Sequence, residues 1–211
     1  TGVGVVVSNG TQNAGLSSAS NGGISSRGWR SSSYTYNATQ FVGTSFIKYA
    51  RGAKTVTAIS SLTDSAFTSA TSGIFLVSGN ITLDSSAIAA LNGKNVVLMT
   101  QGTARVSQNL ALATGNVALF ADTIHVDDSV STVKALLSAQ RIYLTTASGG
   151  TSTTPLSIIG GISSSNTVDM TRRARTDNDL MPSVFIQADP SIYITLLEPL
   201  SNSKTEYRQI Q

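Results

Sequence analysis

The only histidine of the chain, His125, is the residue on which any histidine-based catalysis would depend. Asp122, Asp127 and Asp128 lie near enough in sequence to orient its imidazole, and Ser107 or Ser129 would supply the nucleophile of a Ser-His-Asp triad. The apolar residues on either side of His125, however, predict a strand that turns the histidine outward onto a polar face. No Gly-x-Ser-x-Gly motif accompanies it. We therefore expect no catalytic residues and predict that the chain is not an enzyme.

Cleavage of polysaccharides needs two or more carboxylates in a cleft, often with Ca²⁺. Asp84 and Asp127 occupy matching positions of an internal repeat, but Ser107 interrupts the column between them. The glycines do not form a nucleotide-binding pattern either. We expect no metal site and no cofactor, and a polysaccharide lyase or hydrolase is the least favoured alternative.

The composition excludes several classes of protein. The chain has 211 residues, of which 12% are charged, and a net charge of +3. Its cations are scattered, whereas a nucleic-acid-binding protein clusters them beside aromatic residues, so we expect no nucleic-acid partner. Without cysteine, neither a disulfide framework nor a thiolate metal site is possible. With no long apolar run and no signal peptide, we expect a soluble chain without a membrane span, and its composition is typical of a secreted bacterial protein.

An internal repeat is the strongest feature of the sequence. Segments 74–77, 96–99, 117–120 and 142–145 are apolar except for Thr145 and begin about 22 residues apart. Three of them are followed by a second apolar-x-apolar triplet, at 81–83, 104–106 and 124–126, and a third apolar patch, at 87–91, 110–112 and 135–137, completes each unit. Short strands repeated at this period are typical of the rungs of a parallel β-solenoid. The rival fold, a βαβ parallel sheet, needs crossover helices for which no amphipathic stretch is present.

We therefore predict an all-β fold: a right-handed parallel β-solenoid with an irregular N-terminal segment and a short C-terminal capping helix. Residues 1–72 form a strand and loop region that covers or extends the solenoid. Residues 73–165 form its rungs, and residues 166–211 form the C-terminal cap. Asp189-Pro190 is a favourable helix start and would direct Ile192, Leu196 and Leu200 against the last rung.

The repeat predicts which side chains face inward and which face outward. The inward columns are Ile74, Val96, Val117 and Ile142, beside Leu76, Leu98, Leu119 and Leu144. The outward positions of the same strands are also mostly apolar: Phe75, Val97, Ala118 and Tyr143, then Val77, Met99, Phe120 and the polar Thr145. A strand that is apolar on both faces is normally covered on both. The cover would come from residues 1–72, in which 41–50 is a strand or helix, from the C-terminal segment, or from another subunit.

Residues 3–7 form an apolar, β-prone run near the N-terminus. This run either pairs with its own solenoid or leaves the body and adds as a strand to a neighbouring copy. In the second case we expect the chain to assemble with itself. The predicted assembly contacts are Val3, Val5, Val6, Val7, Phe75, Val97, Met99, Phe120 and Tyr143.

The second strands of the repeat present polar side chains outward. Thr82, Arg105 and His125 take these positions and predict a solvent-facing side of the molecule. An alternative function follows from this face: a carbohydrate-binding surface adhesin whose partner is a surface glycan. Exposed aromatic residues would assist the binding, namely Trp29, Tyr34 and Tyr36.

The basic run 172–175 lies directly before Asp177 and Asp179. It could mark a cleavage site or an anion-binding patch. We favour a loop in which neighbouring charges neutralise one another.

The C-terminal quarter of the sequence carries a resemblance to known proteins. The motifs are the strand-like 156–162, Arg172-Arg173, 182–185, Asp189-Pro190 with Tyr193, and the closing segment 206–211. Together they resemble the tails of uncharacterised secreted β-solenoid surface proteins of candidate-phyla bacteria. This chain departs from that pattern at Ser183-Val184, where Ala-Glu is usual, and at Tyr207, where Trp is usual. The resemblance implies a location in the envelope or at the cell surface, and it offers no activity to transfer.

From these observations we expect a structural, self-associating extracellular protein that forms part of a bacterial surface filament or layer. The N-terminal run would contribute to its assembly. A low-charge surface rich in Ser, Thr and Gly limits repulsion between packed copies.

Overall fold

A computed structural model of the chain describes residues 43–145, 154–169, 172 and 183–200. They belong to one compact unit that spans residues 39–211. The predicted contacts at Val3, Val5, Val6 and Val7 lie outside the described residues, as do Trp29, Tyr34 and Tyr36. In chain order the elements are α1 (Thr44–Ala53), β1 (Val56–Ile59), α2 (Ser65–Thr68), β2 (Ser72–Val77), β3 (Ile81–Leu83), α3 (Ser85–Leu91), β4 (Lys94–Thr100), β5 (Thr103–Val106), β6 (Gly115–Val126), β7 (Thr132–Tyr143), β8 (Leu156–Asp169), β9 (Val184–Ala188), α4 (Pro190–Thr195) and α5 (Leu197–Leu200).

The described strands form one parallel sheet. Its main path runs β1-β2-β4-β6-β7-β8-β9, and β3 pairs with β5, which pairs in turn with β6. Every pairing along these paths is parallel. The expectation of a mainly β, parallel fold is therefore confirmed. The sheet begins at Val56 and ends at Ala188, so it extends on both sides beyond the residues 73–165 assigned to the rungs.

Three short helices begin at aspartate caps. A side-chain oxygen of Asp84 accepts a hydrogen bond from the Ala87 amide at 2.8 Å, and Asp64 caps α2 in the same way. Asp189 caps α4 with proline in its first turn, as Asp189-Pro190 predicted. The cap at Asp84 explains why residues 87–91, expected as the third apolar strand of a unit, form the helix α3 instead.

The register of β2 differs by one residue from the predicted alignment. Ile74 pairs with Val97, and Phe75 pairs with Leu98. Phe75 therefore shares the inner face with Leu98 and packs edge-on against Phe67, with ring centroids 5.0 Å apart. The prediction that Phe75 and Val77 face outward and Ile74 and Leu76 inward was wrong. A strand with apolar residues on both faces fits either register by its hydrophobic pattern alone.

The fourth repeat was also misaligned. Ile142 pairs with Ile124 of the second triplet, whereas Leu136 and Leu137 of β7 pair with Ala118 and Leu119. Ile142 and Tyr143 therefore continue the row of second triplets and do not stack on Val117 and Ala118. The predicted third patch at 135–137 belongs to the first row. β6 and β7 are each twelve residues long and run through both rows without the break that the repeat implied.

Two apolar clusters lie on opposite sides of the sheet. The inner cluster joins Leu98 and Leu119 of the first row to Ile124 and Ile142 of the second row, and it also includes Ile158. The outer cluster is formed by sheet residues together with helix residues of the same chain: Ile74, Val97, Met99, Ala118, Phe120 and Leu136 with Phe46, Ile47, Ala50, Ile192 and Leu196. The covering layer expected over the outward face is thus α1 and α4.

This covering layer decides the position of several predicted assembly contacts. Val97, Met99 and Phe120 are buried beneath it, and the ring of Phe120 stacks on Phe46 with centroids 4.0 Å apart. Phe75 is buried in the inner cluster. These four side chains are not accessible to a second copy, because helices of their own chain and the inner face of the sheet take up their apolar surface. Tyr143 is half-buried on a different side of the molecule.

Candidate functional site

A row of polar side chains crosses five strands of the sheet. Thr82 pairs with Arg105, Arg105 with His125, His125 with Tyr143, and Tyr143 with Asp169. Neighbouring strands lie about 4.8 Å apart, so these side chains form a continuous row, here called the polar ladder. The sequence predicted the Thr82, Arg105 and His125 positions correctly because their apolar neighbours at 81–83, 104–106 and 124–126 face the inner cluster. It did not place Tyr143 and Asp169 in the same row.

Arg105 forms an ion pair with Asp127, which directly follows the next strand of the row, β6. Its Nε donates to Asp127 Oδ1 at 2.8 Å, and its Nη2 donates to Oδ2 at 2.8 Å. The hydrogen bonds and the negative charge of Asp127 raise the pKa of Arg105 above its ordinary value. The side chain of Arg105 is 56% exposed, so the pair lies at the surface. A ligand of the polar ladder would meet a neutralised guanidinium–carboxylate pair and not a bare cation.

The imidazole of His125 and the ring of Tyr143 stack on one another. Their centroids are 4.7 Å apart and their planes are inclined by 10°. Because the stack runs along the row, the face of each ring that meets the other is covered. The stack therefore removes one face of each ring from contact with a sugar.

The groups considered for a histidine triad are engaged in other contacts. Ser107 Oγ donates to the main-chain oxygen of Leu83 at 3.1 Å, and Asp127 accepts from Arg105. Asp128 accepts from the hydroxyl of Thr145 at 2.8 Å. Within the described ranges no three His, Cys, Asp or Glu side chains gather in a group that could hold a metal ion.

The last strand of the sheet carries exposed apolar side chains. β9 pairs with the first five residues of β8, and no strand pairs with its other edge among the described residues. Phe185 is 51% exposed and Ile186 47% exposed. Further large exposed apolar residues follow on α4 and α5, namely Tyr193, Ile194 and Leu197, and the exposed pair Phe185 and Ile186 of β9 is here called the terminal patch.

The terminal patch lies where the inner cluster comes to an end. Leu156 and Ile158 of β8 are fully buried, whereas their partners on β9, Val184 and Ile186, are half-buried and exposed. The inward-facing side chains are therefore buried on β8 and become partly or largely exposed on β9. A large exposed apolar patch on a soluble domain is typical of an interaction site.

The predicted capping helix packs on the sheet in an unexpected place. Ile192 of α4 and Leu196, which directly follows that helix, are buried in the outer cluster with Leu136, and not over the open end of the inner cluster. Tyr193 lies so close to the backbone of Gly161 that a Cβ there would collide with the tyrosine hydroxyl. The helix thus covers the outer face of the sheet and leaves Ile186 exposed. The sequence predicted the helix and its apolar residues, but not the face on which they pack.

Arg172 is buried and does not form part of an exposed basic loop. Only 2% of its surface is exposed, and its guanidinium donates to the main-chain oxygens of residues 127, 128, 130, 144 and 154. Burial lowers the pKa of Arg172, which the nearby charge of Asp128 partly opposes. The prediction of a self-neutralising loop was therefore wrong at this residue. Residues 173–175 lie outside the described part of the chain.

Comparison with known proteins gives no match to a family model, to a curated protein or to a solved structure. Among the described helices, none has the length and apolar character to span a membrane. The function is therefore argued from the geometry of the two candidate surfaces, the polar ladder and the terminal patch.

Proposed function

We propose that this chain is a structural protein: a right-handed parallel β-solenoid that assembles with itself into a filament or layer at a bacterial surface. The parallel pairings and the single inner cluster support the solenoid, because residues of both strand rows turn their apolar side chains to the same interior. The extracellular location rests on the composition and on the resemblance of the C-terminal segments to secreted surface proteins.

The terminal patch is the observation that carries the proposal. An edge strand presents a row of unpaired amide and carbonyl groups, and natural proteins usually blunt such edges with charge, proline or a covering element. β9 has the sequence Val-Phe-Ile-Gln-Ala, without a charge or a proline. Its exposed Phe185 and Ile186 add apolar area to an edge that is suited to strand addition.

The sequence analysis predicted assembly contacts on the outer face of the sheet, whereas we now propose that the contact lies at the β9 end of the sheet. Val97, Met99 and Phe120 are covered by α1 and α4 of the same chain. Contacts at the ends of the sheet repeat in one direction, and a repeated head-to-tail contact that does not close produces a filament.

Light scattering over a concentration series tests the proposal. We expect the wild-type chain to form large species whose amount rises with concentration, and Ile186→Lys to raise the concentration needed at least tenfold. Ala111→Lys is the matched control, since Ala111 is an exposed residue between β5 and β6, away from both ends of the sheet. A wild-type chain that stays monomeric at every concentration would refute self-assembly, and equal effects of the two variants would refute the role of β9.

The polar ladder favours a second candidate function, a glycan-binding adhesin. Thr82 and Arg105 are exposed and follow one another at the strand spacing, which matches the need for several hydrogen bonds along a sugar chain. Binding of a panel of surface polysaccharides to immobilised protein tests this candidate. Arg105→Ala should reduce binding at least tenfold, while Arg141→Ala, an exposed arginine of the adjacent row, should leave it within twofold.

A further inference from the structure

We infer that the outward side of α1 is a binding surface for an acidic polysaccharide. The surface consists of Lys48, Arg51 and Lys54 and is here called the basic face. The binding of a polyanion is argued from the charges and contacts of the helix. The choice of a polysaccharide among linear polyanions rests in addition on the proposed location at a bacterial surface.

The packing of α1 fixes which of its side chains meet solvent. The apolar side chains that α1 turns to the sheet are buried in the outer cluster: Phe46, Ile47 and Ala50. Lys48 and Arg51 are exposed, and residues three positions apart lie on the same side of a helix, so these two cations are neighbours. Lys54 directly follows α1 and adds a third charge about 9 Å further along the helix direction than Lys48.

The sequence around the basic face contains no carboxylate that could neutralise it. Five of the fourteen basic residues lie within residues 1–63, whereas the first of the eleven acidic residues is Asp64. Residues 1–42 therefore offer α1 no acidic side chain as a partner. No carboxylate of the described residues forms an ion pair with Lys48 or Arg51 either. The partner that balances these charges has to bring its own anionic groups.

A second copy of the chain is a poor source of these anionic groups, because most of its described carboxylates are engaged within their own chain. Asp127 and Asp189 each accept hydrogen bonds and lie within 4.0 Å of a cation. Further described aspartates accept hydrogen bonds from backbone amides or hydroxyl groups of their own chain: Asp64, Asp84, Asp122 and Asp128. A separate polyanion suits the basic face better than an acidic surface of a second copy.

The contacts of α1 argue against two other polyanionic partners. An amphipathic helix on a membrane inserts its apolar side into the lipid, whereas the apolar side of α1 is already covered by the sheet. Single-stranded nucleic acids stack their bases on aromatic side chains. Tyr49 of α1 is half-buried, and its ring lies 6.1 Å from that of Phe46, so it is not an open stacking platform.

The arrangement of the charges suits a linear polymer. Lys48 and Arg51 follow one another at about 4.5 Å along the helix axis. A polysaccharide of uronic acid units presents carboxylates repeatedly along its chain, so that several of them meet the basic face at once. Each exposed ion pair contributes little alone, and the affinity depends on their number. We therefore expect binding that weakens steeply as the salt concentration rises.

Gly52 provides a matched set of variants beside the basic face. It is an exposed residue of α1, and a Cβ on it would meet no atom within 4 Å. Gly52→Lys, Gly52→Gln and Gly52→Glu therefore change the charge of this surface without disturbing the packed clusters. All three replace glycine by a residue of higher helix propensity, so α1 is retained in each.

Binding of polygalacturonate to dilute protein at low salt tests the inference, with uncharged dextran as the control polymer. We expect the dissociation constant of Gly52→Lys to be at least threefold lower than that of Gly52→Gln, and that of Gly52→Glu to be at least threefold higher. Lys48→Glu should raise the dissociation constant of the wild type at least fivefold. Arg141→Glu reverses an exposed cation of β7 and should leave it within twofold.

Three results would overturn the inference. Equal dissociation constants for Gly52→Lys and Gly52→Glu would show that α1 does not bind the polymer. A loss of binding in Arg105→Ala with none in Lys48→Glu would assign the polymer to the polar ladder. Tighter binding of phosphatidylglycerol vesicles or of duplex DNA than of polygalacturonate, at equal concentrations of anionic groups, would contradict the choice of a polysaccharide.

Ile186→Lys separates this inference from the proposed self-assembly. This variant changes the terminal patch, so it should assemble poorly and still bind polygalacturonate within twofold of the wild type. If the wild type assembles but Lys48→Glu and the Gly52 variants bind the polymer equally, the inference fails and self-assembly stands. If the wild type stays monomeric and the variants bind as expected, self-assembly fails and the basic face stands.

Discussion

At the scale of single residues, Arg172 makes more side-chain hydrogen bonds to distant parts of the main chain than any other residue in the described part of the chain. Its guanidinium joins main-chain oxygens from the turn after β6, from the end of β7 and from the segment before β8. Arginine suits this position because it offers five donors in a fixed plane and stays charged. The run 172–175 gave no sign of it, since a buried and an exposed arginine look alike in a sequence. Its partners are main-chain oxygens that are distant in sequence, and only the folded structure brings them close to Arg172.

Replacement of Arg172 by Met tests this role. The variant removes the donors and leaves several buried carbonyls without partners, so we expect the free energy of unfolding to fall by about 3 kcal/mol or more. Urea denaturation followed by circular dichroism measures the change. Lys134→Met is the matched control. Lys134 is half-buried, and its Nζ lies 4.0 Å from Asp189 Oδ2. Loss of this ion pair should lower the free energy of unfolding by at most about 1 kcal/mol. A loss for Arg172→Met as small as that of the control would contradict the role assigned to Arg172.

Asp189 gives the molecule a specific response to acid. Hydrogen bonds from the hydroxyl and amide of Ser191, with a smaller contribution from Lys134, lower the pKa of Asp189 below its ordinary value of 3.8. A carboxylate with a depressed folded pKa stabilises the fold above its unfolded pKa, and this contribution disappears as the pH falls through the folded pKa. We expect Asp189→Asn to flatten the fall in melting temperature below pH 4, and Ser191→Ala to flatten it in part. If both variants lose melting temperature below pH 4 as steeply as the wild type does, the cap of α4 does not contribute to the acid sensitivity of the fold.

At the scale of elements, the sequence predicted most of the apolar strands well and the register in which they pair poorly. It found the second triplets, because their alternation of apolar and polar residues allows one register only. It misplaced β2 by one residue and Ile142 by one row, because strands buried on both faces satisfy more than one alignment. It also missed that β9 ends the sheet with exposed apolar residues, since the apolar pattern of a strand does not tell whether another strand follows it.

Close strand approach explains the glycine at the start of β6. Gly115 pairs with Lys94, has a φ of +92°, and a Cβ on it would collide with the main chain of Lys94. Gly79 has a similar φ of +84° but open space around it. We expect Gly115→Ala to cost at least about 1–3 kcal/mol more than Gly79→Ala in urea denaturation, because both carry the backbone strain and only the first carries the collision. Equal costs would contradict the register of β4 and β6.

At the scale of the whole molecule, the sheet is protected on both faces and open at its end. α1 and α4 cover the outer cluster, and the inner cluster is enclosed until it reaches β9. The sequence predicted that an apolar outer face needs a cover, and it left open whether residues 1–72, the C-terminal segment or another subunit supplies it; among the described residues the cover is α1 and α4. The sequence interpretation assigned the outer face to self-assembly. An apolar strand pattern looks the same whether helices of the same chain or a second subunit cover it. Among the described residues, the apolar surface that remains for a partner is the terminal patch.

Negative-stain electron microscopy of the purified chain at neutral pH tests the central claim most directly. The account predicts regular filaments or layers for the wild type and dispersed particles for Ile186→Lys. Wild-type fields that contain only isolated particles of the size of one chain, at concentrations well above those of the scattering experiment, would contradict it. The polar ladder would then be the leading candidate for function.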